Sequence, residues 1–215
     1  MPRAFTENEK KIIIQALMEQ GKKQFSAYGL KKANVEEIAR AAGISKGAFY
    51  LFFNSKEELF WKIVELVEDE FRVHALESIQ KSDGEPRVRL TNVLMDMFNI
   101  WREIPLLHFF SNADYQILLR GMPDSTMAKH LQSDMKFMYT MFRHLAENGI
   151  QIKISPEIFM NLMYAMFLVT LHGDDLGEGG LESGKMVLLE LIAAYSLGEI
   201  SLEAIDLTKF VKELS

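Results

Sequence analysis

An all-α fold follows from three observations. Apolar residues recur at three- and four-residue spacing along most of the chain, no segment alternates as a half-buried strand would, and almost every break falls at a helix boundary marked by Gly, Pro or a capping pair. The architecture expected is an N-terminal three-helix helix-turn-helix domain, residues 1–56, joined by a long helix to a larger helical domain, residues 57–215. The long helix would be an element that both domains share.

The elements follow in order. Thr6 with Glu9 forms a capping box, so helix 1 is expected from Glu7 to about Ala27. Asn34 caps the second helix, with Glu37 in the capping-box position and Val35, Ile38, Ala39 and Ala42 on one face. Gly43 ends it, and Ile44 is the apolar residue just beyond. Ser45 caps a third helix that begins Lys46-Gly47-Ala48 and leads into Phe49, Tyr50, Phe52 and Phe53. Ser55 with Glu58 opens a long fourth helix through Phe60, Ile63, Val64, Val67, Phe71 and Leu76, which stops at Ser82-Asp-Gly-Glu-Pro86. Helices are then expected to about Arg102, over Leu106–Arg120, up to Asn148-Gly149, from Ser155-Pro156 to His172, and over Ser183–Leu197. Ser201 would cap a short terminal helix.

Composition narrows the function. The chain has 215 residues and no cysteine, which removes disulfides, thiolate nucleophiles and cysteine-type zinc sites. The charged start MPRAFTENEKK lacks a signal-peptide core, and the longest apolar stretch, near Met163–Leu171, is too short to span a bilayer, which takes about 20 residues. A cytoplasmic protein with no membrane partner is therefore expected. The net charge of −6 conceals an asymmetry: residues 1–60 carry 10 Lys/Arg against 7 Asp/Glu, and residues 61–215 carry 14 against 23. The basic excess coincides with the two short helices, where phosphate contacts would be made. Two helices joined by a Gly turn, the second with a small and basic start, fit a helix-turn-helix that enters the DNA major groove. An ordinary helical hairpin has the same pattern.

Enzymatic constellations are missing. The five histidines form no HxxxH pair, Asp174-Asp175 with Glu178 lacks the alternating ligands of a calcium loop, and no phosphate-binding glycine motif follows a strand. Neither a metal nor a cofactor is expected.

Phe25-Ser-Ala-Tyr-Gly29, Val35-Glu-Glu-Ile-Ala39, Ala42-Gly-Ile-Ser-Lys-Gly47, Phe49-Tyr50, Phe53 and Ser55-Lys-Glu-Glu-Leu59 together resemble the TetR family of bacterial transcriptional repressors. The likeness runs without a gap from about Leu17 to Leu59. It implies a ligand-responsive repressor that binds a palindromic operator in double-stranded DNA as a homodimer and is released by a small, largely apolar effector. A helical ligand-binding or interaction protein with weak or lost DNA binding is the alternative.

Candidate roles follow for individual residues. Ser45, Lys46, Gly47 and Ala48 would face the bases: Lys46 towards a guanine acceptor or a phosphate, Gly47 for close backbone approach, the Ala48 methyl against a thymine methyl. Tyr50 and Lys56 resemble phosphate donors, and Asn34 stands where Thr or Ser usually caps and touches phosphate. Phe52 and Ala48 depart from the family's polar residues, which thins the expected contacts; Arg3 in the N-terminal arm is a candidate compensation in the minor groove. Methionine and phenylalanine are dense between Met95 and Leu171, as suits an adaptable apolar pocket. Candidate effector contacts are Met95, Asn99, Arg102, His108, Asn112, Tyr115, Met138, Tyr139, Phe142, Met163 and Phe167. The helices Pro156–His172 and Ser183–Leu197 are apolar around much of their circumference and would pair with their mates through Phe159, Met166, Thr170, Met186, Leu189 and Ile192.

Overall fold

The computed structural model describes residues 5–104, 106, 124–171 and 180–201, and among these every regular element is a helix. They are α1 (Glu7–Lys32), α2 (Val35–Ala41), α3 (Lys46–Phe49), α4 (Lys56–Lys81), α5 (Pro86–Glu103), α6 (Asp124–Glu147), α7 (Pro156–Leu171) and α8 (Gly180–Ser196). The Leu106–Arg120 helix, the loop after His172 and the helix capped by Ser201 lie outside the described residues, apart from Leu106 and Ser201 themselves.

Two compact units form, and they do not follow a sequential division at residue 56. One comprises the described residues of Met1–His74 and Asn99–Gln132; the other, those of Ala75–Phe98 and Ser133–Ser215. The long fourth helix, α5 and α6 each contribute to both units. Sequence order cannot reveal this, because the chain returns to the first unit after leaving it.

In the first unit, α1 opens with the complete capping box: the Glu9 N–H donates to Thr6 Oγ1 at 3.3 Å, and the Thr6 N–H donates to Glu9 Oε2 at 2.7 Å. Those Thr6 hydrogen bonds hold the Glu9 carboxyl below the usual carboxylate range. The helix outruns the expected end at Ala27 and reaches Lys32, with a break at Gly29, whose φ of 82° leaves the helical region. Gly43, with φ 77°, closes α2: its N–H donates to the Arg40 carbonyl at 3.1 Å and the Ile44 N–H donates to the Ala39 carbonyl at 3.0 Å. This αL closure suits a residue without Cβ. It turns the chain so that Ile38, Ala39, Phe49 and Phe53 bury together against Leu17, Phe25, Leu59, Phe60 and Ile63. Phe25 meets Phe60 edge-on at 5.1 Å. Each such aromatic, once buried, contributes roughly 1.5–3 kcal/mol, so the helix-turn-helix is held by its own core rather than by its short helices' propensities.

The second unit buries Ile79, Leu90, Leu94, Met97, Met141, Leu145, Phe159, Leu189 and Ala193. Phe142 packs edge-on against Phe159 at 5.3 Å. Two polar ties fix its loops: Arg89 Nη1 donates to the Asn148 carbonyl at 2.7 Å, and the Lys153 N–H donates to the Ser196 carbonyl at 2.7 Å. Among the described residues no helix is long and apolar enough to cross a membrane.

Candidate nucleic-acid interface

The helix-turn-helix presents a cleft of about 470 Å³ lined by Lys32, Ala33, Asn34, Val35, Lys46, Tyr50, Asn54, Ser55, Lys56 and Glu57. Four of the seven residues assigned to DNA from sequence (Asn34, Lys46, Tyr50 and Lys56) therefore share one concave surface. Three lysines against Glu57 make its lining cationic, and no residue lining it other than Ala33 is buried. The remaining three, Ser45, Gly47 and Ala48, lie on or at the start of α3; Ser45 and Gly47 are exposed and Ala48 half-buried.

Local chemistry explains each placement. Asn34 Oδ1 accepts from the Glu36 N–H at 2.9 Å, which caps α2 and leaves the side-chain amide hydrogens for another acceptor. Glu37 does not complete a box; its carboxylate accepts from Gln24 Nε2 at 3.1 Å, tying α2 to α1. Ser45 Oγ accepts from the Ala48 N–H at 3.2 Å. Lys46 stands 4.0 Å from Glu36, both exposed, a pairing of about 0–1 kcal/mol that a phosphate can displace. Tyr50 is half exposed, its ring held edge-on at 5.3 Å from Phe49. A polyanion is the ligand such a surface suits.

Lys56 differs from the expectation of a simple phosphate donor. Its Nζ donates to the Lys31 carbonyl at 3.0 Å and the Ala33 carbonyl at 3.3 Å, so two of its three hydrogens close the C-terminus of α1. Lys56→Met removes both charge-assisted bonds and is expected to cost about 1–3 kcal/mol. At about 2–4 °C per kcal/mol for a chain of this size, the thermal midpoint should fall visibly; an unchanged midpoint would mean that the contacts are incidental. Ser55 accepts from the Glu58 N–H at 3.1 Å, but Glu58 Oε2 accepts from the Asn54 N–H at 2.7 Å, so this box closes one residue earlier than the pattern suggests.

Phe52, the apolar departure, is half-buried and lies 5.7 Å from Phe5, just outside α1. The position spends its side chain on packing the start of the chain. Arg3 lies outside the described residues. Sequence reasoning missed Lys32 and Asn54; the Lys31-Lys32 doublet two residues before the Asn34 cap was the available signal.

The effector candidates fall in both units and are described unit by unit. Met138 and Met163 are buried, while Met95, Phe142 and Phe167 are half-buried in the second unit. Asn99 and Arg102 belong to the first unit, Arg102 exposed. Tyr139 is exposed, and its hydroxyl donates to Glu157 Oε1 at 3.4 Å. His108, Asn112 and Tyr115 lie outside the described residues.

The dimer candidates divide by burial. Phe159 and Leu189 are fully buried, and Met166 and Ile192 nearly so, within the protomer's own core. Their side chains offer a second copy little surface. Met186 is exposed; the Thr170 side chain lies outside the described residues. The outward apolar positions are instead Ile158, Leu168 and Val169 on α7 and Val187, Leu188 and Leu191 beside Met186 on α8. On helices apolar all round, composition alone does not tell inner face from outer.

In comparison with known proteins, residues 17–63 match the family described as bacterial regulatory proteins, tetR family. The HTH-type transcriptional regulator AcrR of Shigella flexneri is 33% identical over 90 residues, covering 42% of each chain. The chain spans less than half the length of the first curated relatives it matches, 42%, 37% and 25%. Among solved structures, the transcriptional regulator FadR of Bacillus subtilis in complex with stearoyl-CoA superposes with a TM-score of 0.59 at 16% identity, over 84% of this chain and 97% of that one. SmeT, the repressor of the Stenotrophomonas maltophilia multidrug efflux pump SmeDEF, gives 0.55 at 22%, over 85% and 89%. These two likenesses extend the fold across both units.

Proposed function

We propose that this chain, whose residues 17–63 match the tetR family of bacterial regulatory proteins, is a transcriptional repressor whose homodimer binds a palindromic operator and is released by a small, largely apolar effector. The observation that carries the reading is the cationic cleft in which Asn34, Lys46, Tyr50 and Lys56 converge. In a two-fold dimer the α3 helices would reach successive major grooves, about 34–36 Å apart. The outward apolar faces of α7 and α8 are the surface that a second copy would cover. The effector would act through α4, which carries Lys56 at one end and the buried Ile79 at the other. It must bind two states of that helix with different affinity, or nothing shifts.

Duplexes selected by the protein from genomic DNA test the proposal. Lys46→Ala and Tyr50→Phe should each weaken binding about 5- to 150-fold, as loss of a base or phosphate contact worth about 1–3 kcal/mol does, while leaving the dimer intact. Failure to select any duplex across a range of salt concentrations would sink the repressor reading.

A further inference from the structure

We infer that Lys32 is a phosphate-contact residue of the DNA interface, and that Lys56 is the positioning residue that holds it there; the inference rests on the DNA-binding reading above. Nothing in the family pattern singles out Lys32. The structure does so by three features.

The first is how the backbone is held. The break at Gly29 redirects the last turn of α1, and Leu30 and Ala33 anchor that turn by burial. Lys56 Nζ accepts no hydrogen bond but donates to the carbonyls of Lys31 and Ala33, one on each side of Lys32. The Lys32 backbone is thereby clamped before any ligand arrives, which lowers the ordering cost of a contact made by its side chain.

The second is freedom of the side chain. Lys32 is exposed, lines the cleft, and makes no hydrogen bond or ion pair with any described residue. The other two cleft lysines are partly engaged: Lys46 faces Glu36, and Lys56 spends two hydrogens on carbonyls. Lys32 alone among the three brings all its donors to an incoming anion.

The third is chemistry. The cleft sets Lys32, Lys46 and Lys56 against the one carboxylate of Glu57, with the Asn34 amide and the Tyr50 hydroxyl beside them. Point charges and hydroxyl or amide donors on an open concave surface suit the phosphodiester oxygens of a duplex, which are contacted without reference to base sequence. Lys32 would therefore add affinity and leave specificity alone.

The test is the salt dependence of binding by the full-length protein to a duplex that the wild type has selected from a random-sequence pool. Each phosphate contact contributes about 0.9 to the slope of log K against log salt, so Lys32→Gln should reduce that slope by about 1.8 per dimer. Affinity should fall roughly tenfold near physiological salt, with base preference unchanged and the thermal midpoint unmoved. Lys32→Arg should restore the slope, and Lys62→Gln, which removes a charge outside the cleft, should leave it as in the wild type. An unaltered slope in Lys32→Gln overturns the inference while the repressor reading stands. A Lys32→Gln protein that loses base preference overturns the assignment to phosphate. A wild type that selects no duplex overturns both.

Discussion

Leu191→Glu is expected to turn the proposed homodimer into monomers and, with it, to abolish the proposed tight operator binding. Leu191 is 49% exposed on α8, beside Val187 at 58%, and α7 offers Leu168 at 53%. These apolar side chains face water in one protomer, and large exposed apolar surfaces mark association sites. A two-fold axis brings the same positions of both copies together, so one substitution buries two carboxylates in an apolar interface with no cationic partner. Breaking a buried charge arrangement costs about 3–5 kcal/mol, which is a hundredfold or more in the dimer dissociation constant. Sedimentation velocity across a concentration series reads it directly. The contrasting variant is Leu189→Ala, two residues away but fully buried. It should cost about 2–5 kcal/mol of stability through cavity formation and leave the dimer intact below its melting transition. If Leu191→Glu remains dimeric and Leu189→Ala dissociates, the outward face is not the interface.

That pair of neighbours also marks where the sequence was legible and where it was not. Local chemistry read well. The Thr6–Glu9 box, the Asn34 cap, the Gly43 turn and the Ser155-Pro156 start are decided by atoms within a few residues of each other, and each stands in the structure: the Ile158 N–H donates to Ser155 Oγ at 3.3 Å just as the Gly43 turn closes on Arg40. The convergence of Lys46 and Tyr50 on one cleft was legible for the same reason, since they flank one short helix. Facing was not. Leu189 and Leu191 are chemically identical, and α7 and α8 present apolar residues in every direction, so only packing reveals which point inward. Long-range polar ties were equally hidden: nothing near Lys56 in sequence announces that its ammonium closes α1, twenty-five residues upstream. Glu37 likewise abandons the local box for Gln24 of α1, because a tertiary partner outcompetes the neighbouring amide.

Gly21→Leu is expected to destabilise the DNA-binding unit by about 2–3 kcal/mol, while Gly21→Ala is nearly neutral. Gly21 is buried in the middle of α1, where a glycine costs about 0.8–1.0 kcal/mol relative to alanine. Its retention there needs a packing reason, and α4 provides one. A Cβ at Gly21 would lie 2.9 Å from Ile63 Cδ1 and 2.9 Å from Leu59 Cδ2. Both atoms are ends of side chains, so a single methyl can be absorbed by small rotations, and the gain in helix propensity offsets the strain. Three further carbons cannot be absorbed: Leu59 and Ile63 are themselves buried against Phe60 and Leu17, and overpacking of this kind costs about 1–3 kcal/mol or more. The alternative to strain is separation of α1 from α4, which would pull the Lys56 ammonium off the Lys31 and Ala33 carbonyls. Urea unfolding followed by the fluorescence of Trp61, buried in α4, measures the stability change. Operator affinity measured well below the transition should fall with it, since the same displacement moves Lys56 and loosens the clamp on Lys32. A Gly21→Leu protein as stable as Gly21→Ala would mean that the two helices have room to spare, and the close approach would then carry no role in setting the cleft.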